Sequence, residues 1–156
     1  MVMTKIDPKE VQRLRSESGA GVMDCKRALE ETGGDYAKAL ALIKERGIQS
    51  VAKKSEREAK EGLVASYIHS GGRVGAIVEL ASETDFVSRG DEFQKLAQEI
   101  AMQVAAMNPA SVEELLGQAY IRDASKTIKD LVTTVAASTK ENVHVRRFQR
   151  FALGES

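Results

Sequence analysis

Leu63-Val64-Ala65-Ser66-Tyr67-Ile68-His69, Ser70-Gly71-Gly72-Arg73 and Val74-Gly75-Ala76-Ile77-Val78-Glu79-Leu80 are the consecutive stretches that decide the fold. Two runs rich in aliphatic and β-branched residues flank four residues of turn chemistry, so they read as a β-hairpin with a four-residue loop. Val74, Ala76, Val78 and Leu80 alternate with their neighbours, which places them on one buried face. From Asp91 the period changes to that of a helix. Phe93, Leu96, Ala97, Ile100, Ala101 and Val104 share one stripe as far as Met107, and Asn108-Pro109 ends it. A further helix carries Ile128, Leu131, Val132, Val135 and Ala136, with Thr127 as its cap and Asp130 at the third position. Asn142 to Phe151 reads as a closing strand with a local basic edge of Arg146, Arg147 and Arg150. Strand, strand, helix, helix, strand predicts an α+β domain over 62–156: an antiparallel three-stranded sheet packed with helices. Between Ser111 and Asp123 only a short apolar turn is legible.

Upstream of the hairpin the pattern is helical. Asp7-Pro8-Lys9-Glu10 is a helix start, with Asp7 able to cap and Pro8 suited to the first position; Val11 and Leu14 supply an apolar side, and Gly19 is placed to end the helix. A second helix runs from about Val22 to Thr32, with Val22, Cys25, Ala28 and Leu29 near one stripe, and stops at Gly33-Gly34. Asp35 can cap a third, which carries Tyr36, Ala39, Leu40 and Ile43 to a stop at Gly47. Residues 1–47 therefore read as a three-helix N-terminal domain. Residues 48–61, mixed in charge and nearly free of large apolar groups, read as a solvated helical linker.

Composition excludes several function classes. A chain of 156 residues with 42% hydrophobic and 29% charged residues is globular rather than disordered. Lys plus Arg and Asp plus Glu number 23 each, so no global field draws the chain onto nucleic acid, and a protein or small-molecule partner is expected. No apolar run approaches the roughly 18 residues of a membrane span, and the Met1-Val2-Met3-Thr4-Lys5 start lacks a signal-peptide core, so the expected compartment is the cytoplasm. The single Cys25 rules out an intrachain disulfide framework.

The search for chemistry finds no catalytic constellation. His69, His144 and Cys25 have no metal-ligand spacing, no serine sits in a nucleophile elbow, and no phosphate-binding loop is present; neither metal nor cofactor is expected. Glu83 and Asp85 are close in sequence, which is weak support for an acid–base enzyme. Thr84-Asp85-Phe86-Val87 draws attention for another reason: it puts a ring in the connection between strand and helix, in a chain only 4% aromatic. Loop aromatics usually pack, so local sequence favours Phe86 folded back as a plug under the sheet; the other reading points its ring at something outside the chain. Met23, after the Gly19-Ala20-Gly21 turn, is likewise core or a docking knob, with core favoured by position.

Four blocks then resolve into a pattern: Ser18-Gly19-Ala20-Gly21-Val22-Met23-Asp24-Cys25-Lys26-Arg27-Ala28-Leu29; Glu61-Gly62-Leu63-Val64 with Tyr67-Ile68-His69 and Gly72-Arg73-Val74-Gly75; Glu83-Thr84-Asp85-Phe86-Val87-Ser88-Arg89 with Phe93; and Glu141-Asn142 with Arg146-Arg147-Phe148 and Phe151. In this order, over nearly the whole chain, the sequence closely resembles the translation elongation factor Ts family, the nucleotide-exchange factors of the GTPase elongation factor Tu. The resemblance implies that the N-terminal helices form a ubiquitin-associated-like module that grips the GTPase through Val22, Met23 and Lys26. It implies that Thr84, Asp85, Phe86 and Val87 wedge beside the magnesium and phosphate site so that GDP leaves. It also implies no enzyme activity, no direct nucleic-acid or membrane partner, and service in the cytoplasm or in an organelle matrix or stroma. Longer family members hold two copies of the core, the second meeting the partner through the position matching His69, so a one-copy chain is expected to act as a homodimer. The chain departs from the family in lacking a central helical insert after Asn108-Pro109, in carrying Lys140 where glycine is usual, and in lacking the usual proline near Ala119. The alternative is a binding or chaperone module that holds a translational GTPase or ribosome component without exchanging nucleotide.

Overall fold

The computed structural model describes residues 5–155; the Met1–Thr4 start lies outside the described residues. The chain divides into two compact units, one ending at Lys54 and the other beginning at Ser55.

The first unit holds helices α1 (Pro8–Ser18), α2 (Val22–Glu31) and α3 (Tyr36–Lys54). The Asp7 carboxylate accepts the Lys9 amide at 2.9 Å, and Gly19 closes α1 in the left-handed conformation (φ 72°), a geometry that glycine adopts without a Cβ clash. Asp35 caps α3 by accepting the Lys38 amide at 3.1 Å. Leu14, Cys25, Ala28, Leu29 and Ala39 form a small core on which Tyr36, Leu40 and Ile43 pack. The Arg13 guanidinium lies 4.1 Å from the Tyr36 ring centroid, and an Arg46–Glu31 ion pair joins α3 to α2.

Two expectations for this unit are corrected. Gly47 does not end α3, which runs on through residues 48–54. A helical glycine costs only about 1 kcal/mol, and the good helix formers around it outweigh that penalty. Val22 does not join the Cys25 stripe; it sits on the first turn of α2 and is exposed.

The second unit is built on an antiparallel sheet of order β1-β2-β5, with β1 (Glu61–Ile68), β2 (Val74–Ser82) and β5 (His144–Ala152). The hairpin register pairs Ile68 with Gly75 and Ala65 with Val78, and the turn closes through Gly72 N to His69 O at 2.9 Å, with Gly71 and Gly72 at positive φ. Ala76, Val78 and Leu80 are buried on the inner face, as their alternation predicts; Val74, at the turn end of β2, is only half-buried, and Ile77 points the other way and is exposed. Across that inner face packs α5 (Asp91–Met107), burying all six residues of its predicted stripe. Full burial of a side chain such as Phe93 or Ile100 is worth about 1.5–3 kcal/mol each. Helix α7 (Ile128–Thr139) packs on α5 and opens with a complete capping box: Thr127 accepts the Asp130 amide, and Asp130 accepts that of Thr127.

Three elements are not legible beforehand. Helix α4 (Asp85–Ser88) follows β2 directly. Helix α6 (Val112–Gly117) and the two-stranded ribbon of β3 (Ala119–Tyr120) and β4 (Asp123–Thr127) occupy the stretch read as a short turn. The ribbon is tied to α5 by the fully buried Gln103, whose amide donates to Ala119 O at 3.0 Å and whose carbonyl accepts Ile121 N at 3.0 Å. Tyr120 donates to Glu99, and burial together with that bond pushes its hydroxyl up to about 12.

Candidate functional site

The site starts where β2 ends. Ser82, fully buried, donates from its hydroxyl to Thr84 O at 2.9 Å and bends the chain out of the sheet. Thr84 is extended (φ −123°, ψ 154°), and its hydroxyl oxygen accepts the Val87 amide at 3.3 Å, so it caps a single turn of helix. The turn is then fastened from a distant part of the chain. The Glu141 carboxylate accepts the amides of Glu83 (3.0 Å) and Thr84 (2.9 Å) through Oε1 and the Thr84 hydroxyl (2.7 Å) through Oε2. Glu83 returns the contact, accepting the Asn142 amide at 2.8 Å.

On that turn Phe86 is 86% exposed. The reading of Phe86 as a plug under the sheet is therefore corrected: the inner face is already filled by α5, and the capped turn carries the ring outward. Asp85 lies beside it, also exposed, in an i,i+4 ion pair with Arg89 at 3.1 Å. Val87 is half-buried, and Ser88 is buried and donates to Asp85 O at 3.1 Å.

The first unit carries three further candidate residues, and the second carries His69. Val22 and Met23 are 47% and 58% exposed, and Lys26 on the next turn is exposed as well. Position alone favours core for Met23, and the structure overturns that: the core side of α2 is taken by Cys25, Ala28 and Leu29. Burial pushes the Cys25 thiol upward, against a smaller opposite effect of the Ser18 hydroxyl. His69, just past β1, is exposed, with Nδ1 2.9 Å from the Tyr67 hydroxyl.

The acid–base reading of Glu83 and Asp85 gains no support: Glu83 accepts the Asn142 amide and pairs, at 3.8 Å, with Arg57, and Asp85 stands exposed in a surface pair with Arg89. The basic edge is largely paired. Arg146 and Arg147 both pair with Glu79 (3.2 and 2.8 Å), and Arg150 donates to Ala105 O (3.0 Å) and pairs with Glu155 (3.0 Å). Among the described residues no group of three His, Cys, Asp or Glu side chains is placed to hold a metal ion, and no helix is long and apolar enough to cross a membrane.

A family model described as elongation factor TS matches residues 83–156, the segment that contains both α4 and the Glu141-Asn142 pair. Elongation factor Ts of Anaeromyxobacter dehalogenans (strain 2CP-1) is 40% identical over 198 residues, covering 98% of this chain and 90% of the relative. That of Synechococcus elongatus is 42% identical over 199 residues, with the same coverage. The chain belongs to the elongation factor Ts family. Both alignments are longer than the chain's 156 residues, so these elongation factor Ts relatives carry residues without a counterpart here, in keeping with the missing insert. Elongation factor Ts of Nostoc sp. (strain PCC 7120) is 48% identical over 151 residues, covering 97% of this chain but 48% of the relative, which is thus about twice as long.

Proposed function

We propose that this chain is a guanine-nucleotide exchange factor that binds elongation factor Tu and promotes GDP release during translation elongation. The observation that carries the reading is Phe86, 86% exposed on a turn that is capped and fastened. Leaving a large ring in water on an ordered support is what a wedge requires: the ordering entropy is spent before the partner arrives, and burial in an apolar crevice then stabilises the complex by about 1.5–3 kcal/mol. Asp85 supplies the charge. Its pair with Arg89 is exposed and worth no more than about 1 kcal/mol, so the carboxylate is readily released to compete for the backbone donors and cations that hold magnesium and phosphate. Thr84 and Val87 set the turn. Val22, Met23 and Lys26 form a second contact surface, an adaptable methionine and an exposed valine beside a cation. The chain needs no catalytic group of its own, because differential binding of the nucleotide-free and GDP-bound partner is sufficient.

A homodimer completes this reading. Ile68, Ile77, Phe151 and Leu153 are exposed around an open groove of about 430 Å³, Val64 is exposed on β1 as well, and the Nostoc relative has twice the length in one chain. A second copy is the occupant proposed for that groove, with His69 of that copy available to the partner. A dimer by sedimentation velocity at micromolar concentration supports the pairing, and a monomer throughout removes it.

The experiment for the exchange reading is a linkage measurement: the affinity of this chain for elongation factor Tu, nucleotide-free and in saturating GDP–Mg²⁺. Exchange requires markedly tighter binding without nucleotide, since each tenfold loss of GDP affinity must be matched by about 1.4 kcal/mol of preference. Equal affinities favour the non-exchanging binding or chaperone module instead.

A further inference from the structure

The pair Glu141-Asn142 contributes to the family resemblance without a role attached to it. We propose that Glu141 is a positioning residue for exchange: its carboxylate holds Glu83 and Thr84, and through them α4, in the orientation that presents Phe86 and Asp85 to the partner. This rests on the exchange reading above and deepens it.

The chemistry is in the direction of the bonds. Thr84 has one hydroxyl proton, and it is donated to Glu141 Oε2 at 2.7 Å. The oxygen lone pairs are thereby left for the Val87 amide at 3.3 Å, the bond that caps α4. Oε1 of the same carboxylate takes the amides of Glu83 and Thr84, two donors that the end of β2 leaves unpaired by the sheet. Bonds to an ionised acceptor are about twice as strong as neutral ones, and here three converge on one side chain. The support behind them is firm. Asn142 is buried, gives its backbone amide to Glu83, and donates from its side chain to Ser55 O (3.2 Å) and Arg57 O (2.7 Å). Lys140, left-handed at φ 60°, turns the chain out of α7 so that Glu141 reaches back to α4.

A four-residue helix cannot sustain itself, because nucleation fixes several dihedral angles for a single bond. Without Glu141 the turn frays, and the cost of ordering it moves to the moment of partner binding. Glu141 acts through Glu83 and Thr84, so its loss resembles a loosened wedge rather than a missing one.

The test uses the full chain with Glu141→Ala, Glu141→Gln and Phe86→Ala side by side. Stopped-flow release of fluorescent GDP from elongation factor Tu is read over a range of factor concentration, and amide hydrogen exchange is read at Val87 and Val78. Glu141→Ala is expected to lower release about tenfold, with faster exchange at Val87 and unchanged protection at Val78 in the sheet. Glu141→Gln keeps one acceptor for the two backbone amides but loses the charge and the acceptor of the Thr84 hydroxyl, and is expected to fall between the native chain and Glu141→Ala. Native release from Glu141→Ala despite an opened Val87 overturns the proposal. Loss of release together with Val78 protection overturns it as well, because the residue then serves the fold as a whole. Release left at the spontaneous rate by the native chain brings down the exchange reading, and native release from Phe86→Ala brings down the wedge that Glu141 is proposed to position, whereas a slow Phe86→Ala beside a fast Glu141→Ala removes only the positioning role.

Discussion

Phe86→Ala separates the fold from the function more sharply than any other substitution in this chain. Because the ring is 86% exposed, its removal takes little apolar contact out of the fold, and stability should stay within about 0.5 kcal/mol. In the complex the same ring is expected to be buried. Losing that burial costs about 1.5–3 kcal/mol by transfer alone, with the upper end favoured if the crevice cannot close behind the smaller side chain. At about 1.4 kcal/mol per decade this is a roughly 10- to 150-fold loss of GDP-release efficiency. The assay is stopped-flow fluorescence of labelled GDP leaving elongation factor Tu over a range of factor concentration. Where the loss falls is informative: a lower maximal rate means that the ring binds only as nucleotide leaves, and a higher half-saturating concentration means that it binds throughout. A change of less than about twofold would refute the wedge argument. A steep fall in melting temperature would refute its structural premise that the ring lies outside the core.

Three further outcomes follow from local geometry. Gly62 has φ 141°, and a Cβ there would lie 2.1 Å from Leu80 O, so Gly62→Ala should cost roughly 3 kcal/mol or more and lower the melting temperature of the sheet unit by more than about 10 °C. Lys140 is left-handed where glycine carries less strain; Lys140→Gly should stabilise by about 0.5–1 kcal/mol, read as a midpoint shift in urea. The native pKa of His144 is held below its ordinary 6.5, first by burial and then by Arg146, against a weaker opposite effect of Glu79. The unfolded chain thus binds the proton more readily, so this stability is complete above pH 6.5 and is lost as pH falls below that value through the lowered native pKa; His144→Gln should flatten the melting-temperature profile between pH 7 and 5.

What could be read in advance follows from the range of each interaction. The β2 face, the α5 stripe and the Thr127–Asp130 capping box are written in residues a few positions apart, and all are found as expected. The β3–β4 ribbon leaves no local signal, because Asp123 to Thr127 is exposed or half-buried and carries no apolar alternation; its anchor is Gln103 on another element. The extension of α3 is hard to read because a lone glycine resembles a stop even where its neighbours favour helix. At the site, the identity of Phe86 and Asp85 was legible and the exposure of the ring was not, since a solvent-facing ring and a buried one look alike in a single sequence. Thr84 followed three residues later by Val87 is a weak capping signal. The partnership of Thr84 with Glu141 spans 57 positions, and nothing local announces it.

The most direct measurement is release of fluorescent GDP from elongation factor Tu mixed with this chain in the presence of Mg²⁺ and excess unlabelled nucleotide. If Phe86 drives exchange, the release rate rises with factor concentration, saturates far above the spontaneous rate, and drops at least tenfold with Phe86→Ala. Stable binding of the chain with release left at the spontaneous rate would contradict it.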